Sequence, residues 1–256
     1  MPVVLAKCGK TVLSNNAYVK SSVVVTVSDA NYTGKSVTKN GAAMKWPSNN
    51  KFSSAAAYVV TVTDRGGNAT VFKFTIDNTA PKITAKAGKS TIRNKGKTKY
   101  DVTLTVKEAN IASKTITMGG AAITWPANNI LTAEGYYVVK VTDKTGSKAT
   151  LSFTIDKKPV VTLRTVSGKT LANKAVTGES VNITVTDKFL SSKTLKRSGK
   201  TVKWPSNNQV TSDGSYTLYV KDKIKNKVTI AFIIDKSAPK ITAKAKKTVA
   251  TESAGE

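Results

Sequence analysis

The stretch Trp46-Pro47-Ser48-Asn49-Asn50 returns as Trp125-Pro126-Ala127-Asn128-Asn129 and again as Trp204-Pro205-Ser206-Asn207-Asn208, each time after 79 residues (46 to 125, 125 to 204). The same step links Tyr58, Tyr137 and Tyr216, then Asp64, Asp143 and Asp222, then Asp77, Asp156 and Asp235. A period this long exceeds the roughly 20–50 residues of solenoid repeats, so each unit is large enough to hold its own core. The units run over 1–80, 81–158 and 159–238. The remaining 239–256 opens with Pro239-Lys240-Ile241, which echoes Pro81-Lys82-Ile83. It reads as the start of a truncated fourth repeat or a tail, and the chain as a piece of a longer array.

Within a unit the apolar period is two. Val23, Val25 and Val27 share one face of their segment, as do Val102, Leu104 and Val106, and Val181, Ile183 and Val185. Phe72, Phe74 and Ile76 form a second such row, repeated as Leu151, Phe153, Ile155 and as Ile230, Phe232, Ile234. Such alternation marks strands with one buried face. Asn40-Gly41, with Gly120 and Gly199 in the later units, reads as a tight hairpin turn that uses positive φ. About seven short strands per unit and no helix predict an all-β, two-sheet sandwich. Val25, Trp46, Tyr58, Val60, Phe72 and Phe74 are the expected core of the first unit.

Composition narrows the function. The 256 residues carry 41 Lys and Arg, 15 Asp and Glu, no His and one Cys, for a net charge of +26. The charge is spread as +6, +9 and +9 over the three units and +2 over the tail. Lacking His, the chain lacks the commonest general base and metal ligand. One Cys excludes an intrachain disulfide framework and a Cys-based zinc site. No apolar run reaches the roughly 18 residues of a membrane span, and the amino terminus does not read as a signal peptide.

Three motifs carry a resemblance. Glu134-Gly135-Tyr136-Tyr137 and Asp213-Gly214-Ser215-Tyr216 precede alternating strands in the manner of a tyrosine corner. Asp64-Arg65-Gly66-Gly67-Asn68 has a looser copy in Asp143-Lys144-Thr145-Gly146-Ser147. The junction Ile76-Asp77-Asn78-Thr79-Ala80-Pro81-Lys82-Ile83 recurs as Ile234-Asp235-Lys236-Ser237-Ala238-Pro239-Lys240-Ile241. Together they resemble the tandem bacterial immunoglobulin-like repeats of Gram-positive cell-surface proteins. The resemblance implies three tandem immunoglobulin-like β-sandwich domains in an extended rod. It also implies an extracellular, cell-surface stalk, spacer or adhesin segment of a larger secreted protein, without catalysis or cofactor. The chain departs from the pattern in its basic charge and in its middle junction, Asp156-Lys157-Lys158-Pro159, which is one residue short.

Two binding features stand out. Trp46, Asn49 and Asn50, with Trp125, Asn128, Asn129, Trp204, Asn207 and Asn208, pair a stacking ring with amides, as a carbohydrate site does. Parity also places Trp46 with Met44 on the inner face, where it plugs the sandwich. The second feature is lysine density, highest at Lys221, Lys223, Lys225 and Lys227. It suits anionic cell-wall polymers, glycans or other polyanions, and equally the protection of exposed strand edges. The recurring acids Asp29, Glu108 and Asp187, with the two Asp series above, offer one carboxylate at each place. They read as turn caps rather than metal ligands or a glycosidase pair, and the fragment is expected to be a calcium-independent monomer. Cys8 aligns at the same step with Ala87 and Val166 and reads as packing. Accessory repeats of a wall-acting enzyme or of a phage structural protein form a third class.

Overall fold

Alternation decides the pairing. In Ala56–Asp64 the side chains of Ala56, Tyr58, Val60, Val62 and Asp64 are buried, and those between them are not. A segment with this pattern presents one face to a core and pairs through its backbone on both sides. The computed structural model describes residues 1–243, which hold strands, turns and loops and no helix.

The first repeat contains β1 (Val3–Cys8), β2 (Thr11–Val12), β3 (Ala17–Val19), β4 (Val23–Ser28), β5 (Tyr32–Lys39), β6 (Ala42–Met44), β7 (Lys51–Phe52), β8 (Ala56–Asp64) and β9 (Ala69–Ile76). They form a four-stranded sheet in the order β2-β1-β4-β7 and a five-stranded sheet in the order β3-β9-β8-β5-β6. All neighbours are antiparallel except β3 and β9, which pair in parallel with Ala17 opposite Phe74. The second and third repeats reproduce both sheets with the same order. Nine segments replace the expected seven because β2 and β7 are two residues each, too short to leave a period in the sequence. By compactness the chain divides into Met1–Asp156, which holds two of these sandwiches, and Lys157–Glu256, which holds one.

Each core is built on a Tyr–Phe stack. Tyr58 and Phe74 lie 5.1 Å apart between ring centres, Tyr137 and Phe153 5.4 Å, and Tyr216 and Phe232 5.1 Å. The Tyr hydroxyl donates to a carbonyl four residues back: to Ser54 at 3.0 Å, Ala133 at 2.7 Å and Ser212 at 2.8 Å. The corners at Tyr137 and Tyr216 are those expected from the Gly-x-Tyr motifs, and Tyr58, which follows Ala56-Ala57, makes the same one. Val25, Tyr58, Val60, Phe72 and Phe74 are buried as expected, and Trp46 packs against them half-buried. The β5–β6 turn has φ of 50° at Asn40 and 84° at Gly41, the two successive positive values of a two-residue hairpin loop.

One sequence alignment needs correction. Cys8 pairs with Val23 and Thr165 pairs with Val181, so Thr165, not Val166, is the counterpart of Cys8 and Ala87. The short middle junction shifts the first strand of the third repeat by one position. Thr165 is buried, whereas Val166 is 55 % exposed. The expected tail 239–256 lies mostly outside the described residues, and 239–243 contains no strand.

Candidate functional site

The Trp-Pro loop joins β6 to β7, and its sequence dictates its shape. Asn50 takes φ of 54°, Asn129 58° and Asn208 57°, a left-handed conformation that asparagine tolerates. The turn closes from Asn50 N to Pro47 O at 2.9 Å, and likewise from Asn129 N to Pro126 O at 2.9 Å and Asn208 N to Pro205 O at 3.0 Å. The backbone oxygen of Asn50 then accepts from Val25 N at 3.0 Å, which anchors the loop to β4.

Side chains complete the loop from within. The indole Nε1–H of Trp46 donates to Asn50 Oδ1, that of Trp125 to Asn129 and that of Trp204 to Asn208, each at 2.7 Å. The first asparagine of each pair accepts the backbone N–H two residues on: Lys51 to Asn49 at 3.1 Å, Ile130 to Asn128 at 3.0 Å and Gln209 to Asn207 at 3.1 Å. Both amide oxygens and the indole donor are therefore committed to the loop itself. The amide NH2 groups are donors each loop can offer a ligand.

A residue that sequence reading missed completes the patch. Lys35 Nζ lies 4.6 Å from the centre of the Trp46 ring, Lys114 Nζ 4.6 Å from Trp125 and Lys193 Nζ 4.1 Å from Trp204. These lysines stand on β5 and its counterparts and obey the 79-residue step (35, 114, 193), the signal that identifies them in the sequence. An ammonium over the indole face is a cation–π contact worth about 0.5–1 kcal/mol when exposed. It also covers the face on which a neutral sugar would stack.

Lys223, Lys225 and Lys227 are exposed and Lys221 half-buried, around the turn between Gly214–Asp222 and Lys227–Ile234. They occupy a different loop from the Trp204 patch. Several of the acids cap turns. Asp222 Oδ1 accepts from Ile224 N at 2.9 Å and Asn226 N at 2.8 Å, and Asp64 Oδ1 accepts from Asn68 N at 2.9 Å. Asp29, Glu108 and Asp187 each accept a backbone N–H two residues on at 2.7 Å.

Neither a protein-family model nor a curated protein sequence matches this chain. Solved structures of tandem immunoglobulin domains do. A three-domain titin fragment in its E-to-A mutated form is 12% identical, with 88% of this chain and 96% of that chain covered and a TM-score of 0.35. Immunoglobulin domains 1–4 of Sidekick-1 are 15% identical, covering 90% and 74%, with a TM-score of 0.28. The four N-terminal immunoglobulin domains of Dscam1 isoform 6.44 are 10% identical, covering 87% and 71%, with a TM-score of 0.35. At such scores the likeness carries no argument of its own. The immunoglobulin-like architecture rests on the strand order and pairing. Among the described residues no helix is long and apolar enough to cross a membrane.

Proposed function

We propose that this chain is a non-catalytic stalk or adhesion segment of a bacterial cell-surface protein, displayed outside the cell, and that its repeats hold anionic polymers. The observation that supports this most is the ammonium held beside each of the three loops. Each presents an ammonium, Lys35, Lys114 or Lys193, beside asparagines whose oxygens are already used. Ammonium and amide N–H groups donate strong, charge-assisted hydrogen bonds to carboxylate, phosphate or sulfate oxygens. The net charge of +26 strengthens the reading by concentrating polyanions near every repeat. Lys221, Lys223, Lys225 and Lys227 extend the same chemistry in the third repeat. Exposed ammonium groups are compact and hydrated, so the contacts are loose and depend on the density of charge.

Titration of the whole chain with teichoic acid, heparin and DNA at low and high salt tests this. Affinity should fall steeply with salt as counterions are released. The triple change Lys35→Gln, Lys114→Gln and Lys193→Gln should weaken binding by roughly tenfold or more at low salt. Salt-independent binding abolished by the combined Trp46→Ala, Trp125→Ala and Trp204→Ala change would replace this reading with a neutral-carbohydrate site. Absence of binding at low salt would leave the chain as a spacer.

A further inference from the structure

Sequence shows one carboxylate at each recurring place, but folding brings three places together. Asp77 follows β9 of the first repeat. Glu108 follows Val102–Lys107, and Asp143 ends Gly135–Asp143, both in the second repeat. One carboxylate oxygen from each lies within 4.8 Å of the other two. Asp77 and Asp143 are 5% and 1% exposed, and Glu108 is half-buried. Among the described residues no Lys or Arg forms an ion pair with any of the three. Lys144, next to Asp143 in sequence, turns instead to Tyr18, with Nζ 3.2 Å from the hydroxyl and 4.6 Å from the ring centre.

The carboxylates are held in place by other bonds. Asp77 Oδ1 accepts from Thr79 N at 3.1 Å and Thr79 Oγ1 at 2.7 Å, and its Oδ2 from Asn110 Nδ2 at 2.7 Å. Glu108 Oε1 accepts from Asn110 N at 2.7 Å. Asp143 Oδ1 takes Thr145 N and Ser147 N at 2.8 Å each and Thr145 Oγ1 at 2.7 Å. Burial alone would raise the Asp77 and Asp143 carboxyls, but these hydrogen bonds outweigh it and hold both below the ordinary value.

Asp143 Oδ2 is the independent observation. It is buried and accepts no hydrogen bond. The matching oxygen is occupied in the other repeats, where Asn68 Nδ2 donates to Asp64 Oδ2 at 2.9 Å and Asn226 Nδ2 to Asp222 Oδ2 at 2.5 Å. The second repeat has Ser147 at that position, so the oxygen is bare because of one residue. A buried charged oxygen without a partner is costly, and a cation is the partner that three carboxylates call for.

We propose that Asp77, Glu108 and Asp143 form a binding site for a hard divalent cation, calcium by preference, between the first and second repeats. All donors are oxygen, which suits calcium or magnesium and not a thiolate- or imidazole-seeking metal. Calcium–oxygen distances are about 2.3–2.6 Å, so two oxygens on one ion stand at most about 4.6–5.2 Å apart, which the observed spread satisfies. Asp77, Glu108 and Asn110 also line an open cavity with Tyr18, through which an ion and its remaining waters enter. The bound ion ties the end of β9 to two loops of the next repeat, so order at the junction 78–81 depends on it.

The test uses the whole chain, with calcium chloride as the probe at fixed ionic strength, followed by calorimetry. A lysine-specific endoprotease reads cleavage after Lys82. Calcium should bind saturably and slow that cleavage. Glu108→Gln keeps an acceptor for Asn110 N but removes a charge, and Ser147→Asn restores the amide donor that the other repeats carry. Each should raise the calcium concentration needed for protection by roughly 10–100-fold, and Ser147→Asn should also raise the thermal midpoint in chelator, because its amide satisfies Asp143 Oδ2. Equal protection in both variants and the parent chain, or no protection at millimolar calcium, would overturn the site. Magnesium protecting at the same concentration as calcium would overturn the calcium preference.

Discussion

At the residue scale, hydrogen bonds to a few polar groups fix the corners of each sandwich. Tyr58 spends its ring on the stack with Phe74 and its hydroxyl on Ser54 O. Tyr58→Phe keeps the stack and strips the carbonyl of its donor. The change should cost about 1 kcal/mol, read as a lower denaturant midpoint with unchanged slope. The turn aspartates set the response to acid. The hydrogen bond from Asn68 is the largest influence on Asp64 and lowers its pKa, and Ser237 does the same for Asp235. A carboxyl that is a stronger acid when folded stabilises fully above its unfolded value of about 3.9, and this is lost as pH falls through the folded value. Denaturant midpoints should therefore be flat near neutrality and fall below about pH 4. Asn68→Ala should shrink the part of that fall due to Asp64.

At the scale of elements, the β5–β6 turn shows how local chemistry sets register. Asn40 and Gly41 both take positive φ, and Val37 consequently faces Met44 across the turn. Gly41→Ala forces a side chain into that conformation at about 1–2 kcal/mol, although nothing lies near its Cβ. Thermal unfolding of this variant should show the loss as a lower midpoint. This much was legible beforehand, since period-two rows and Asn-Gly pairs act within a few residues. The Tyr corners and the inward parity of Trp46 were readable on the same grounds. Lys35 over Trp46 was not, because cross-strand contacts depend on which strands neighbour one another. Thr165 was missed because a shortened junction breaks the step that aligned everything else. Asp77, Glu108 and Asp143 escaped notice for a similar reason: each looks solitary until β9 is laid beside the loops of the following repeat.

For the whole molecule, like charge is the dominant long-range term. With 41 basic and 15 acidic residues the folded chain repels itself. Salt screens this over a Debye length near 10 Å at 0.1 M, so the melting temperature should rise from very low salt to about 0.1 M. Scanning calorimetry in sodium chloride and sodium sulfate measures it, and a falling melting temperature would show that specific ion pairs dominate instead. The parallel pairing of β3 with β9 has a consequence for load. β3 lies near the entry of the chain into a repeat and β9 at its exit, with Ala17, Tyr18 and Val19 opposite Phe74, Thr75 and Ile76. Tension applied through the two ends drags these strands past each other along their length. Their cross-bonds, with Asn16 N to Lys73 O and Asp77 N to Val19 O at either end, then resist together instead of parting one after another. The same latch recurs at Gly96–Thr98 and at Ala175–Thr177, so every repeat is fastened in shear against being pulled open.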